Sequence, residues 1–105
     1  MPWLVLILAG CFEVAWAIGL KQSQGFTKLW PSLWTVACMA VSFVLLAWAL
    51  KHIPVGTGYA VWTGIGAAGT AVLGILWFEE PANAGRLASL VLIVAGVVGL
   101  KLFSA

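Results

Sequence analysis

Glu13 makes the strongest chemical demand in this sequence. It sits near the centre of an apolar run covering residues 3–20, with no lysine or arginine in the middle of that run or of any other. An acidic side chain at the centre of a membrane span costs roughly 2.5–3.5 kcal/mol on insertion scales, and such a residue normally faces a bundle interior or a water-filled cavity. Burial disfavours a carboxylate's charged form, so a group placed there can hold a proton near neutral pH and exchange it for a cation. The competing structural role is a buried ion pair, and the chain offers no central basic partner for one. Glu13 is therefore the expected site of substrate and proton binding.

At about 100° per residue, Leu6, Ala9, Gly10, Trp16, Ala17 and Leu20 share the helical face of Glu13. Ala9, Gly10 and Ala17 are small. They leave room beside the carboxylate or let another helix approach closely. Trp16 could stack on a planar cation or donate its N–H to Glu13, or it could be lipid-facing bulk. Ser42 is the central hydroxyl of a second run and shares a stripe with Thr35, Met39 and Leu46. It could serve the site, pack, or bond its own backbone. Tyr59, Trp62, Thr63, Gly66 and Thr70 fall on one face of a third run. Tyr59 could donate to a carboxylate or anchor at the interface, and Trp62 could line a cation pocket.

The third run also contains Gly64-Ile65-Gly66-Ala67-Ala68-Gly69, a literal G-x-G-x-x-G. A dinucleotide site would need a preceding strand and a βαβ unit, and this motif lies inside a continuous apolar run. Gly64, Gly66 and Gly69 are expected instead to permit a helix bend or close packing, a natural hinge for alternating access. In the fourth run Ser89, Leu92, Ile93, Gly96 and Gly99 form a stripe, and the small residues Ser89 and Gly96 suit a dimer seam. Lys101 could snorkel to the interface or reach a polar network.

The elements that must position these residues follow from composition. Hydrophobic residues make up 64% of the 105-residue chain and charged residues 8%, against about 25% charge in a soluble domain. Lipid is the solvent such a chain suits. Four apolar runs, at about 3–20, 30–50, 55–78 and 85–103, are each long enough to cross it. Backbone groups in lipid must be satisfied within the segment, so the runs are expected to be helices, and they lack the alternation of a barrel. The expected fold is an all-α integral membrane protein with four transmembrane helices forming one domain over residues 1–105.

The first run resembles a signal peptide in its Ala15-Trp16-Ala17 triplet but lacks a basic leader, and it is read as a retained helix. Asn83 is placed to cap the fourth helix. Trp3, Trp30, Trp34, Trp48 and Trp77 fall near run ends, as an interfacial belt requires. Cys11 and Cys38 have no metal or redox spacing and are read as packing residues. No metal, cofactor or nucleic-acid partner is expected, because neither a ligand cluster nor a basic face is present. Nor is an enzyme, since no nucleophile–base pair is visible.

Lys51 and Lys101 lie on one side of the expected topology, and Lys21, Lys28 and Arg86 on the other. With so little charge bias the positive-inside rule has almost nothing to act on, which permits insertion in both orientations and an antiparallel homodimer.

The residues that carry a resemblance are Gly10 with Glu13-Val14-Ala15-Trp16, Gly25-Phe26-Thr27 with Trp30-Pro31-Ser32, the run Pro54 to Gly66, and Gly96-Val97-Val98-Gly99-Leu100-Lys101. Over essentially its whole length the chain resembles the small multidrug resistance family of proton-coupled exporters. Trp16 and Lys101 make it similar to the guanidinium-exporter branch, since the quaternary-ammonium exporters typically carry a small residue in place of Trp16. Gly58 departs from the alanine expected there.

The resemblance implies an antiparallel dual-topology homodimer in the bacterial inner membrane, with one Glu13 from each subunit at its centre. Trp16 and Ser42 would support the glutamates by hydrogen bonds, and Tyr59 and Trp62 would line or gate the cavity. The cargo would be guanidinium or small substituted guanidiniums, exported against protons that compete for the same glutamates. An exporter of quaternary ammonium and other lipophilic cations is the alternative within transport. From another class, the alternative is a non-transporting subunit of a larger membrane complex.

Overall fold

A computed structural model describes residues 2–103. Four helices follow one another, α1 (Pro2–Gln22), α2 (Leu29–Ala49), α3 (Val55–Trp77) and α4 (Ala84–Leu102), and each is long and apolar enough to cross a bilayer. Proline falls where it does not break them. Pro2 opens α1, Pro31 lies in the first turn of α2, and Pro54 precedes α3; none of these positions needs its N–H for the helix. Asn83 caps α4, its side chain accepting from the Arg86 N–H at 2.9 Å, as the sequence led us to expect.

The connections are tight. After α1, Ser23 is fully buried and its hydroxyl donates to the Leu20 carbonyl at 2.7 Å. Gln24, Gly25 and Phe26 then run with φ of 50°, 74° and 66°. That left-handed stretch is free of strain only at Gly25. After α3, Glu79 takes φ 55° and turns the chain back, so that the Glu80 N–H reaches the Gly74 carbonyl at 3.2 Å.

α1 packs along α2 and α3, and the backbone of α4 approaches α3 alone. The core is Leu6, Ala9, Leu46, Ala49, Ile53, Val61 and Trp62. α1 and α3 run parallel in close contact. A Cβ on Gly10 would lie 2.6 Å from the Ile65 side chain, and one on Gly69 would lie 2.6 Å from Val14. Gly64 gives the same room to Val97 of α4.

α3 is therefore one unbroken helix whose glycines admit side chains from both neighbours. At Gly58 an added methyl would meet only the end of the Leu50 side chain, which can rotate. An alanine here would require only that rotation.

The chain measures 43 × 35 × 17 Å, a slab less than two helix diameters thick. α4 buries none of its residues. Ser89 and Gly96 are both exposed on it, and nothing lies within 4 Å of where a Cβ on Gly96 would stand. Large apolar side chains cover the outer faces, including Trp30, Trp34, Trp48 and Trp77, as lipid contact demands.

Candidate functional site

Glu13 projects from the middle of α1 onto Gly66 of α3. A Cβ on Gly66 would collide with the carboxyl group itself, so the missing side chain is what admits Glu13. The carboxylate opens onto a groove of about 380 Å³ lined by Glu13, Ala17, Thr63, Gly66, Thr70, Glu80 and Arg86, among others. Oε1 of Glu13 is buried and finds no hydrogen-bond partner among the described residues, and the same is true of the Trp16 indole N–H. A buried polar atom left unpaired costs about 1–3 kcal/mol. These two groups, one turn apart on α1, are an acceptor and a donor without partners among the described residues.

Ser42, Trp62 and Tyr59 form a second cluster. Ser42 is fully buried; its hydroxyl donates to the Ala9 carbonyl at 2.7 Å and accepts the Trp62 indole N–H at 2.9 Å. Within one chain Ser42 thus ties α2 to both α1 and α3, and its bonds go to Ala9 and Trp62, not to Glu13. Phe43 links the aromatic groups: its ring lies 6.4 Å from Trp16 and 5.7 Å from Trp62, and Tyr59 lies 5.6 Å from Trp62. The rings are tilted or edge-on, the usual favourable geometry.

Tyr59 is half exposed, and Thr63 donates back to its carbonyl. Gly10, on the Glu13 face, is filled by Ile65 and does not open into the groove. Lys101 stands 4.6 Å over the Trp3 ring, joining the end of α4 to the start of α1.

Ser42→Ala should leave the Trp62 N–H buried without an acceptor and remove the α2–α1 tie. The expected loss is about 1–3 kcal/mol of stability, measurable as a lower unfolding midpoint in detergent together with a shift in tryptophan emission.

Sequence periodicity missed two features. Gly66 was expected to permit a bend or close packing of α3, and the group packed on it is the Glu13 side chain, which periodicity did not single out. Arg86 was counted only for topology, yet it shares the groove with Glu13. It pairs with Glu80, its Nη2 donating to Oε1 at 3.1 Å. The larger groove between α3 and α4, about 490 Å³, is walled by Val14, Ile65, Val94 and Val97 and suits acyl chains, not a cation.

Four spanning helices define a multi-pass membrane protein, and Glu13 lines a groove on it with one carboxylate oxygen unpartnered among the described residues. The family model for the Small Multidrug Resistance protein matches residues 1–93, and the chain belongs to that family of membrane transporters. It is 60% identical over 102 residues, 97% of each chain, to the Guanidinium exporter of Escherichia coli (strain K12). The same identity and coverage hold for the Guanidinium exporters of Shigella flexneri and Citrobacter freundii. The protein is a multi-pass component of the bacterial inner membrane.

Proposed function

We propose that this protein exports guanidinium and small substituted guanidinium cations in exchange for protons, by alternating access, as an antiparallel homodimer. The observation that carries the proposal is Glu13 itself, whose Oε1 is buried with no partner among the described residues and whose side chain lines a groove with Thr63, Thr70, Glu80 and Arg86. Guanidinium is planar and presents forked N–H donors that match a carboxylate edge-on. A quaternary ammonium has no N–H and would leave that oxygen unpaired. The Guanidinium exporters of three bacteria at 60% identity support the same cargo.

Each step uses groups of this chain. A guanidinium donates to the Glu13 carboxylate, and the Trp16 N–H steadies the oxygen that the cation leaves unengaged. A proton taken up by the same carboxylate cancels its charge and removes the acceptor, so cation and proton exclude one another. Occupancy by one requires release of the other, and that competition is the coupling. The chain is a slab 17 Å thick, and this thinness supports a second copy that closes the site and brings a second Glu13. The exposed stripe of α4, with Ser89 and Gly96, is the seam that fits this role. Alternating access then requires α3 to move, with Gly64, Gly66 and Gly69 as the positions where it can flex.

Proteoliposomes with an acidic lumen should accumulate labelled guanidinium as protons leave. Unlabelled guanidinium should compete far better than tetramethylammonium. Equal competition by the two would replace this reading with a general lipophilic-cation exporter. No uptake of either would favour a non-transporting subunit.

A further inference from the structure

The α3–α4 connection carries a second carboxylate to the groove of Glu13. Glu80 lies against Gly74 of α3, where a Cβ would stand 2.6–3.1 Å from its three carboxyl atoms. Gly74 thus seats Glu80 as Gly66 seats Glu13. Gly74 follows Gly66 by eight residues, which is about 12 Å along the helix. Ala17, Thr70 and Ala71 line the groove that both carboxylates share.

Glu80 already holds a guanidinium, the one at the end of Arg86. Nη2 donates to Oε1 at 3.1 Å, and the structure gives this pair no second, parallel bond. The side chains of Arg86 and Glu80 are 36% and 41% exposed. A single-bonded pair at that exposure is worth at most about 1 kcal/mol, so it can be exchanged. The Arg86 backbone is fixed separately by the Asn83 cap, which lets the side chain leave without unwinding α4.

We propose that Glu80 is a second cation station at the mouth of the groove. Arg86 occupies it at rest, and an incoming guanidinium-type cation displaces Arg86 on its way to or from Glu13. Arg86 is then a tethered stand-in for the cargo, and the pair sets how readily cations enter. This rests on the guanidinium reading above and adds a specificity-determining pair to it.

The test is a double-variant cycle on initial guanidinium uptake in proteoliposomes. The variants are Glu80→Gln, Arg86→Gln, both together, and Arg86→Lys as a charge-preserving control. All are checked for a monodisperse folded state in detergent. Glu80→Gln should raise KM roughly three-fold with kcat little changed, the scale of an exposed ion pair. Arg86→Gln should lower KM by a similar factor in the wild-type background and leave it unchanged in the Glu80→Gln background.

If both single variants raise KM, or neither moves it, the pair is only a structural tie and the proposal falls. If Arg86→Gln lowers KM equally in both backgrounds, the effect is general repulsion and the station is again excluded. Wild-type protein that takes up no guanidinium would instead sink the transport reading itself, and this proposal with it.

Discussion

Glu13→Gln should reduce proton-driven guanidinium uptake to the level of empty liposomes. The substitution keeps the size of the side chain and its fit on Gly66 but removes the charge and the exchangeable proton together. Losing one partner of a buried, hydrogen-bonded charge pair costs about 2–5 kcal/mol. That corresponds to roughly 30-fold to several-thousand-fold in affinity at about 1.4 kcal/mol per decade.

Protein stability should not fall, because Oε1 has no hydrogen-bond partner among the described residues and an amide is easier to bury than a carboxylate. Uptake and unfolding are therefore measured on the same preparation: abolished uptake with an unchanged or raised unfolding midpoint is the expected pair of results. Uptake that survives the substitution and remains coupled to protons would remove Glu13 from the mechanism.

The unusual placement of Glu13 was legible in the sequence because it depends on a one-dimensional fact, a charge inside an apolar run. The helices were legible for the same reason, and their observed limits lie within two residues of the expected ones. Asn83 could be read as a cap because capping is local. What the sequence left open depends on how far one helix is rotated and shifted against the next.

Periodicity puts Ser42 on a face of α2 but cannot say that Ala9 and Trp62 will meet it there. It places Gly66 among small residues of α3 but not opposite Glu13. The expectation that Ser42 and Trp16 bond to the glutamates differs from the single chain in an instructive way. Ser42 uses its bonds to hold three helices together, whereas the Trp16 N–H has no partner among the described residues.

The Glu80–Arg86 pair was obscured by a different cause. Both residues stand in or beside a short polar connection, where charges are ordinarily solvated and uninformative. Only the left-handed turn at Glu79 folds that connection back over the end of α3 and brings both side chains to the groove. The turn uses a glutamate at a conformation more often given to glycine or asparagine, so no residue type announced it.

Gly66→Ala should damage transport nearly as much as the loss of Glu13, although a single methyl is added far from any ion pair. The new Cβ would overlap the Glu13 carboxyl group and stand 2.8 Å from its Cγ. Glu13 is a flexible side chain, so the fold can yield by rotating it away, and α1 and α3 can stay packed through Gly10–Ile65 and Gly69–Val14. The carboxylate then leaves its seat on Gly66 at the edge of the groove. A misplacement of about 1 Å can cost on the order of a hundred-fold in a positioned site.

The expected result is a large rise in guanidinium KM in a protein that still purifies folded. Ala60 of α3 is exposed and lies off the groove of Glu13, so Ala60→Val in the same assay reports what added bulk on α3 does by itself. If Gly66 served only to let α3 bend, Gly66→Ala would slow turnover and leave guanidinium binding in detergent unchanged. A seat for Glu13 predicts the opposite, lost binding before any transport step. An equilibrium titration of Gly66→Ala with guanidinium therefore separates the two roles of this glycine.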